Sequence, residues 1–240
     1  MLGIKEIVST FIKEELNKES ILLENFNEKS LQHNLGQYIK ERLGKDYCIQ
    51  YERNIEYFKR IPGVKCLSKK EVDITILDRN DLLHNKRNAM PLYVIEIKYL
   101  KAYSQNFSER TAYSPQSLYE CLYDIQFIED CKIRGIDGIS LILCDDDKIH
   151  SANIGKVRKY KTIASIFRSG GHIDSEIAEQ INEDDNNNKY KKIRVFNKYL
   201  LKWNPILSYQ DEENHDLVLK YIINEGKDVE HLYEQMDDKC

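Results

Sequence analysis

Two neighbouring runs of the chain carry charge where a strand would carry an apolar residue: Glu71-Val72-Asp73-Ile74-Thr75-Ile76, and Val94-Ile95-Glu96-Ile97-Lys98. Residues two apart on a strand share a face, so Glu96 and Lys98 project together while Ile95 and Ile97 point to the other side. A carboxylate and an ammonium in the middle of a sheet are costly unless they pair or meet a metal, so the pattern demands an explanation. An antiparallel hairpin between the two runs brings Asp73 beside Glu96. Two carboxylates and a lysine suit phosphodiester hydrolysis. The carboxylates hold Mg²⁺ or Mn²⁺ through hard oxygens, and the metal neutralises developing charge and lowers the pKa of a bound water. Lys98 orients that water or stabilises a phosphorane-like transition state. The Ile97 carbonyl is placed to be a further hard ligand. Taken singly each signal is weak, since ExK occurs by chance in most proteins and an aspartate is more often a surface residue than a ligand. Their conjunction inside two β-type runs carries the argument.

The elements that must position this set are legible from periodicity. Residues 28–43 place Leu31, Leu35, Tyr38, Ile39 and Leu43 at helical spacing, with Gly44 as a stop. Residues 47–58 alternate and are rich in aromatic and β-branched types, which predicts a strand and then a turn at Pro62-Gly63. Strands over 71–77 and 92–100 follow, joined by a polar hairpin connection, and the second is apolar on both faces, as a central strand is. Ser114-Pro115 opens a helix to about Arg134 with a stripe of Leu118, Leu122, Ile125 and Ile128, and residues 138–144 are a buried fourth strand. A helix over 154–168, a strand over 192–203 and a terminal helix over 214–236 are expected beyond it. The polar stretch 182–192 reads as an exposed loop.

Composition bounds the rest. The chain has 240 residues, is 41% hydrophobic and is long enough to bury one ample α/β core, so we expect a single domain. No stretch approaches the roughly 18 apolar residues of a membrane span. The amphipathic start MLGIKEIVSTFIKEEL is unlike a signal peptide, which predicts a cytoplasmic protein. Six cysteines without CxxC spacing and scattered histidines favour buried reduced thiols over zinc or disulfides. A net charge of -4 argues against a protein that coats nucleic acid, but the charge is segregated. Residues 148–173 and 189–205 hold no acid, and residues 148–205 are expected to supply phosphate contacts, foremost through Lys156, Arg158, Lys159, Lys161 and Arg168. Such runs are also common as solvated faces. Tyr160, Phe167 and Tyr199 among them either stack on bases or, more safely, pack in the core. The face Gln116, Tyr119, Tyr123 and Gln126 reads as a packing surface.

With VDI, VIEIK and that element order in place, residues 28–146 resemble the PD-(D/E)XK superfamily of restriction-endonuclease-like nucleases. LQHNLGQYI, IQYERNI and LYDIQFIED look like a poorly characterised branch of it. Val72 stands where the family name has proline. The resemblance implies an αβββαβ core with a mixed central sheet, residues 147–240 being a C-terminal elaboration, and it matches Asp73, Glu96 and Lys98 to the catalytic set. It also implies Gln32 and Glu52 as auxiliary site residues, the alternative of equal weight being a locally bonded Gln32 and a Glu52 on a solvated edge. The expected activity is that of a metal-dependent DNA endonuclease in restriction, phage defence or mobile-element processing, acting alone, as a homodimer or in a larger complex. The alternative is a catalytically silent nuclease-fold module that binds nucleic acid or a protein.

Overall fold

The computed structural model describes residues 3–18, 27–58, 71–100, 115–145, 160–185, 187, 189–210 and 216–228. Pro62-Gly63, Ser114 and the residues after 228 therefore lie outside the described residues, as do Lys156, Arg158 and Lys159. The fold is mixed α/β, with a six-stranded mixed sheet in the order β1-β2-β3-β4-β8-β7. Its strands are β1 (Tyr47–Asn54), β2 (Glu71–Asp78), β3 (Pro91–Leu100), β4 (Asp137–Cys144), β7 (Asn204–Gln210) and β8 (Asp216–Glu225). A separate pair joins β5 (His172–Ile173) to β6 (Tyr199–Leu200). By compactness the chain divides into two units. The first comprises residues 1–97, 127–140 and 225–240, and the second comprises residues 98–126 and 141–224.

In the first unit, α1 (Ile4–Glu14) buries Ile4, Val8, Phe11 and Ile12, a stripe at helical spacing. Its Phe11 ring meets Tyr38 of α2 (Glu28–Leu43) edge to face at 5.2 Å. Glu14 accepts the Tyr38 hydroxyl at 2.6 Å, and burial together with that carboxylate pushes the phenol up to about 12. Asn27 caps α2 by accepting the Ser30 N–H, and Gly44 ends it at φ 78°. Gly36 has no side chain to give: a Cβ there would collide with the ring of Tyr51 on β1, so this glycine sets how closely α2 lies on the sheet. A small core of Ile55, Val72, Val94, Phe127, Ile128, Cys131 and Ile136 completes the unit.

The second unit is organised by the N-terminal part of α4 (Pro115–Ile133) with α5 (Lys161–Ser169) and α6 (Ser175–Asp184). Leu118, Leu122, Ile125, Ile163, Phe167, Ile181, Ile193, Tyr199 and Leu201 form its core. The tyrosine face of α4 does pack: Tyr119 stacks on Tyr190 at 4.2 Å and donates to the Ile181 carbonyl, while Tyr123 donates to the Lys191 carbonyl. Phe167 and Tyr199 are buried, and Tyr160 meets Tyr119 edge to face, so these rings serve packing.

Five expectations fail. The strand from Tyr47 ends at Asn54 in a 3-10 turn, Ile55–Phe58, where the Asn54 side chain takes the Glu56 N–H. The connection after β2 contains a helix, α3 (Arg79–Asn85), because Asp78 caps it through the Asp81 N–H at 2.8 Å. A helix, α6, occupies residues for which no element is expected from the sequence and runs into the expected loop at 182–192, because Asp174 caps it. The terminal segment Asp216–Glu225 is a strand, since LVLKYII is β-branched and aromatic and finds a partner in β7. Across 192–203 only Tyr199–Leu200 is a strand. Cys121, Cys131 and Cys144 are buried free thiols and Cys48 is half-buried. Among the described residues, no helix is long and apolar enough to cross a membrane.

Asp174 caps α6 through the Ile177 N–H at 3.0 Å, and that bond, with His172 at 3.1 Å, holds its carboxyl below the usual range. A depressed folded pKa gives stability that is present above the unfolded value of about 3.9 and is lost as pH falls through the folded value. Asp174→Ala is expected to lower unfolding free energy by about 1 kcal/mol at pH 7. Urea titrations of both proteins should differ there and converge below about pH 4; equal stability at pH 7 refutes the cap.

Candidate active site at the β2–β3 fork

β2 pairs with β1 and with β3, antiparallel on both sides. With β1 the register runs from Tyr47↔Asp78 to Asn54↔Glu71, with Tyr51↔Ile74 and Arg53↔Val72 flanking the site. With β3 it runs from Leu77↔Pro91 only as far as Ile74↔Ile95. Continued by one residue, these registers set Glu52, Asp73 and Glu96 in one row across the three strands. Beyond that row β2 stays with β1. The Ile97 N–H of β3 is then taken by a side chain, Asp73 Oδ2, at 2.7 Å. A carboxylate therefore stands in for the backbone acceptor that a continuing β2–β3 ladder would have supplied.

Each member of the set has a definite environment. Asp73 is half-buried, and its own carbonyl accepts Gln32 Nε2 from α2, which ties the helix to the strand at this residue. Gln32 is buried, as Leu31 and Leu35 on the same helix are. Glu96 is fully buried. Val94, two residues before it on the same face of β3, packs with Phe127, Ile128 and Cys131 of α4, so Glu96 lies on the α4 side of β3. Burial first, then Glu96 and Asp130, raise the Cys131 thiol well above its ordinary value. A carboxylate taken out of water costs several kcal/mol unless a proton, hydrogen-bond donors or a cation compensates.

Glu52 stands opposite Asp73 in register but has φ 48°, in the left-handed region, and its exposed carboxylate is 3.5 Å from Lys29 Nζ. The structure thus brings Gln32 to Asp73 by direct contact and brings Glu52 only to the same row. Lys98 follows Glu96 by two positions on β3, and its ammonium is 3.6 Å from Glu120 Oε2 of α4. Of the candidate phosphate contacts, Lys161 is exposed at the start of α5, while Arg168 is half-buried with its Nε shut away from solvent.

Among the described residues, no three His, Cys, Asp or Glu side chains converge on a metal position. A cation at the fork would have Asp73 and Glu96 as its acidic ligands. Ile97 directs its C=O to the same strand edge as the N–H that Asp73 takes, so a third hard oxygen belongs to that edge. The role of Gln32 as a main-chain tether, the fork itself and the positive φ of Glu52 are not visible in the sequence, because each depends on register between separate segments. Searches against protein-family models, curated proteins and solved structures find no match to this chain.

Asp73→Ala leaves the Ile97 N–H without its acceptor and is expected to cost about 1–3 kcal/mol, whereas Asp73→Asn keeps a carbonyl oxygen at that position and should cost distinctly less. Denaturant midpoints of the two variants measure this; equal losses would show that the hydrogen bond is not what Asp73 contributes.

Proposed function

We propose that this chain is a metal-dependent nuclease with a restriction-endonuclease-like core, and that Asp73, Glu96 and Lys98 carry its chemistry on nucleic acid, DNA first. The single observation that carries the reading is the fork. A central strand pair opens beside a half-buried aspartate, with a fully buried glutamate opposite it when the register is continued by one residue and a lysine two residues further along the same strand. The order α2-β1-β2-β3-α4-β4, interrupted by the short helix α3 between β2 and β3, supports it as well.

The donor chemistry fits Mg²⁺ or Mn²⁺, hard cations that take one or two carboxylates and fill their remaining positions with water and substrate oxygens. Such an ion supplies charge neutralisation at the phosphate and a bound water of lowered pKa. The protein's own groups do the rest. Asp73 binds through the oxygen that Ile97 N–H leaves available, and that hydrogen bond keeps its carboxylate oriented. Glu96, dehydrated in the sheet, meets positive charge more strongly than a solvated carboxylate does. The Ile97 carbonyl adds a neutral oxygen. Lys98, steadied by Glu120, orients the attacking water or offsets charge on the phosphoryl oxygens.

A second reading has an observation of its own. The complete burial of Glu96 beside Cys131 is what a structural acid in a catalytically silent nuclease-fold module would show.

The two readings separate in one assay: purified chain with supercoiled plasmid, linear duplex, single-stranded DNA or RNA in Mg²⁺ or Mn²⁺, beside Lys98→Ala and Glu96→Gln. Metal-dependent cutting that falls about 100-fold or more in both variants supports the enzyme. Cutting that survives both substitutions removes this site, and binding without cutting by the wild type leaves the silent module.

A further inference from the structure

The segment 189–203 runs along the second unit mostly without a partner strand, and its backbone is held by side-chain amides instead. Asn182 of α6 bonds Ile193 in both directions, accepting its N–H and donating to its C=O, each at 2.8 Å. Gln126 of α4 accepts the next N–H, that of Arg194, at 2.9 Å. Asp185 takes the Tyr190 N–H at 2.7 Å. Held this way, the segment plugs Ile193, Val195, Tyr199 and Leu201 into the core. Lys189, Lys191, Lys192, Arg194, Lys198 and Lys202 are left exposed. Buried and exposed residues alternate over 192–195 and 198–202, and the exposed cations together make a ridge on a protein of net charge -4.

Among the described residues, Lys189, Lys191, Lys192 and Lys202 make no ion pair. The carboxylates of Asp184 and Asp185, close by in sequence, are occupied with the backbone N–H groups of Thr162 and Tyr190. Leu200 is the one large exposed apolar side chain of this segment, so the ridge lacks the apolar face that anchors a protein in a lipid surface.

We infer that residues 189–202 form a sequence-independent docking ridge for the phosphate backbone of a nucleic acid. The inference does not rest on phosphodiester cleavage, since a silent module would use the ridge in the same way.

The test is fluorescence anisotropy of a labelled 20-base-pair duplex with the full-length chain in EDTA, where cutting plays no part, over a series of salt concentrations. The triple variant Lys191→Gln/Lys192→Gln/Lys202→Gln is compared with a charge-matched triple in the first unit, Lys13→Gln/Lys40→Gln/Lys45→Gln, whose side chains are also exposed. The ridge predicts that log K against log salt becomes shallower by about 0.9 per lysine, roughly 2.7 in all, in the first triple only. Equal effects in both triples, or none in the first, overturn it. So does wild-type binding to phosphatidylserine vesicles with no binding to the duplex. A chain that cuts no substrate yet shows this salt signature keeps the ridge and loses only the nuclease reading.

Discussion

One hydrogen bond organises the candidate site in the first unit: the Asp73 carboxylate holding the Ile97 N–H at 2.7 Å. Ladders between strands end either in solvent or on a substitute partner, because a buried N–H without an acceptor costs as much as the bond it lost. Here the substitute is a carboxylate, and the choice has a consequence. An aspartate used as a cap retains a second oxygen and its charge, so the point where two strands part is also where negative charge collects. Gln32 secures the arrangement from the other side by bonding the Asp73 carbonyl, and the close seat of α2 on β1 at Gly36 lets that side chain reach.

The chain treats its buried acids in contrasting ways. Asp145, at the end of β4, accepts the hydroxyls of Tyr99 and Tyr209, each at 2.8 Å, and burial with that carboxylate drives the Tyr99 phenol well above its ordinary value. Asp78, Asp174 and Asp185 spend their oxygens on backbone N–H groups at caps and turns. These are structural uses at strand ends, caps and turns. Glu96 differs in being fully buried in mid-strand, one register step from a second carboxylate and two residues from a lysine. That difference in setting is why the fork, and not the other acidic residues, is the candidate site.

A related economy appears in the segment 189–203, where amide side chains replace a partner strand. Asn and Gln carry both a donor and an acceptor, so Asn182 can satisfy both polar groups of Ile193 as a neighbouring residue in a sheet would. A partner strand would also have covered an edge of the segment. Side-chain clamps cover only single residues, and the cations along it stay in water.

Local information was enough for much of this. Asp73, Glu96 and Lys98 stand out in the sequence because charge interrupts β-type alternation, and α2, β2, β3, α4 and β4 follow from periodicity strong enough to survive folding. The helix α3 was hidden because its cap, Asp78, doubles as the last residue of a strand pattern, and its apolar residues are too few to show a stripe. The strand β8 was hidden because a short apolar run has no intrinsic preference that outweighs a partner, and its partner β7 lies across residues 211–215. Register decided the rest. Which acid faces which, that Gln32 reaches a main-chain carbonyl, and that the cations of segment 189–202 face water all depend on contacts between residues far apart in sequence. Such contacts are set by packing, and no local pattern encodes them.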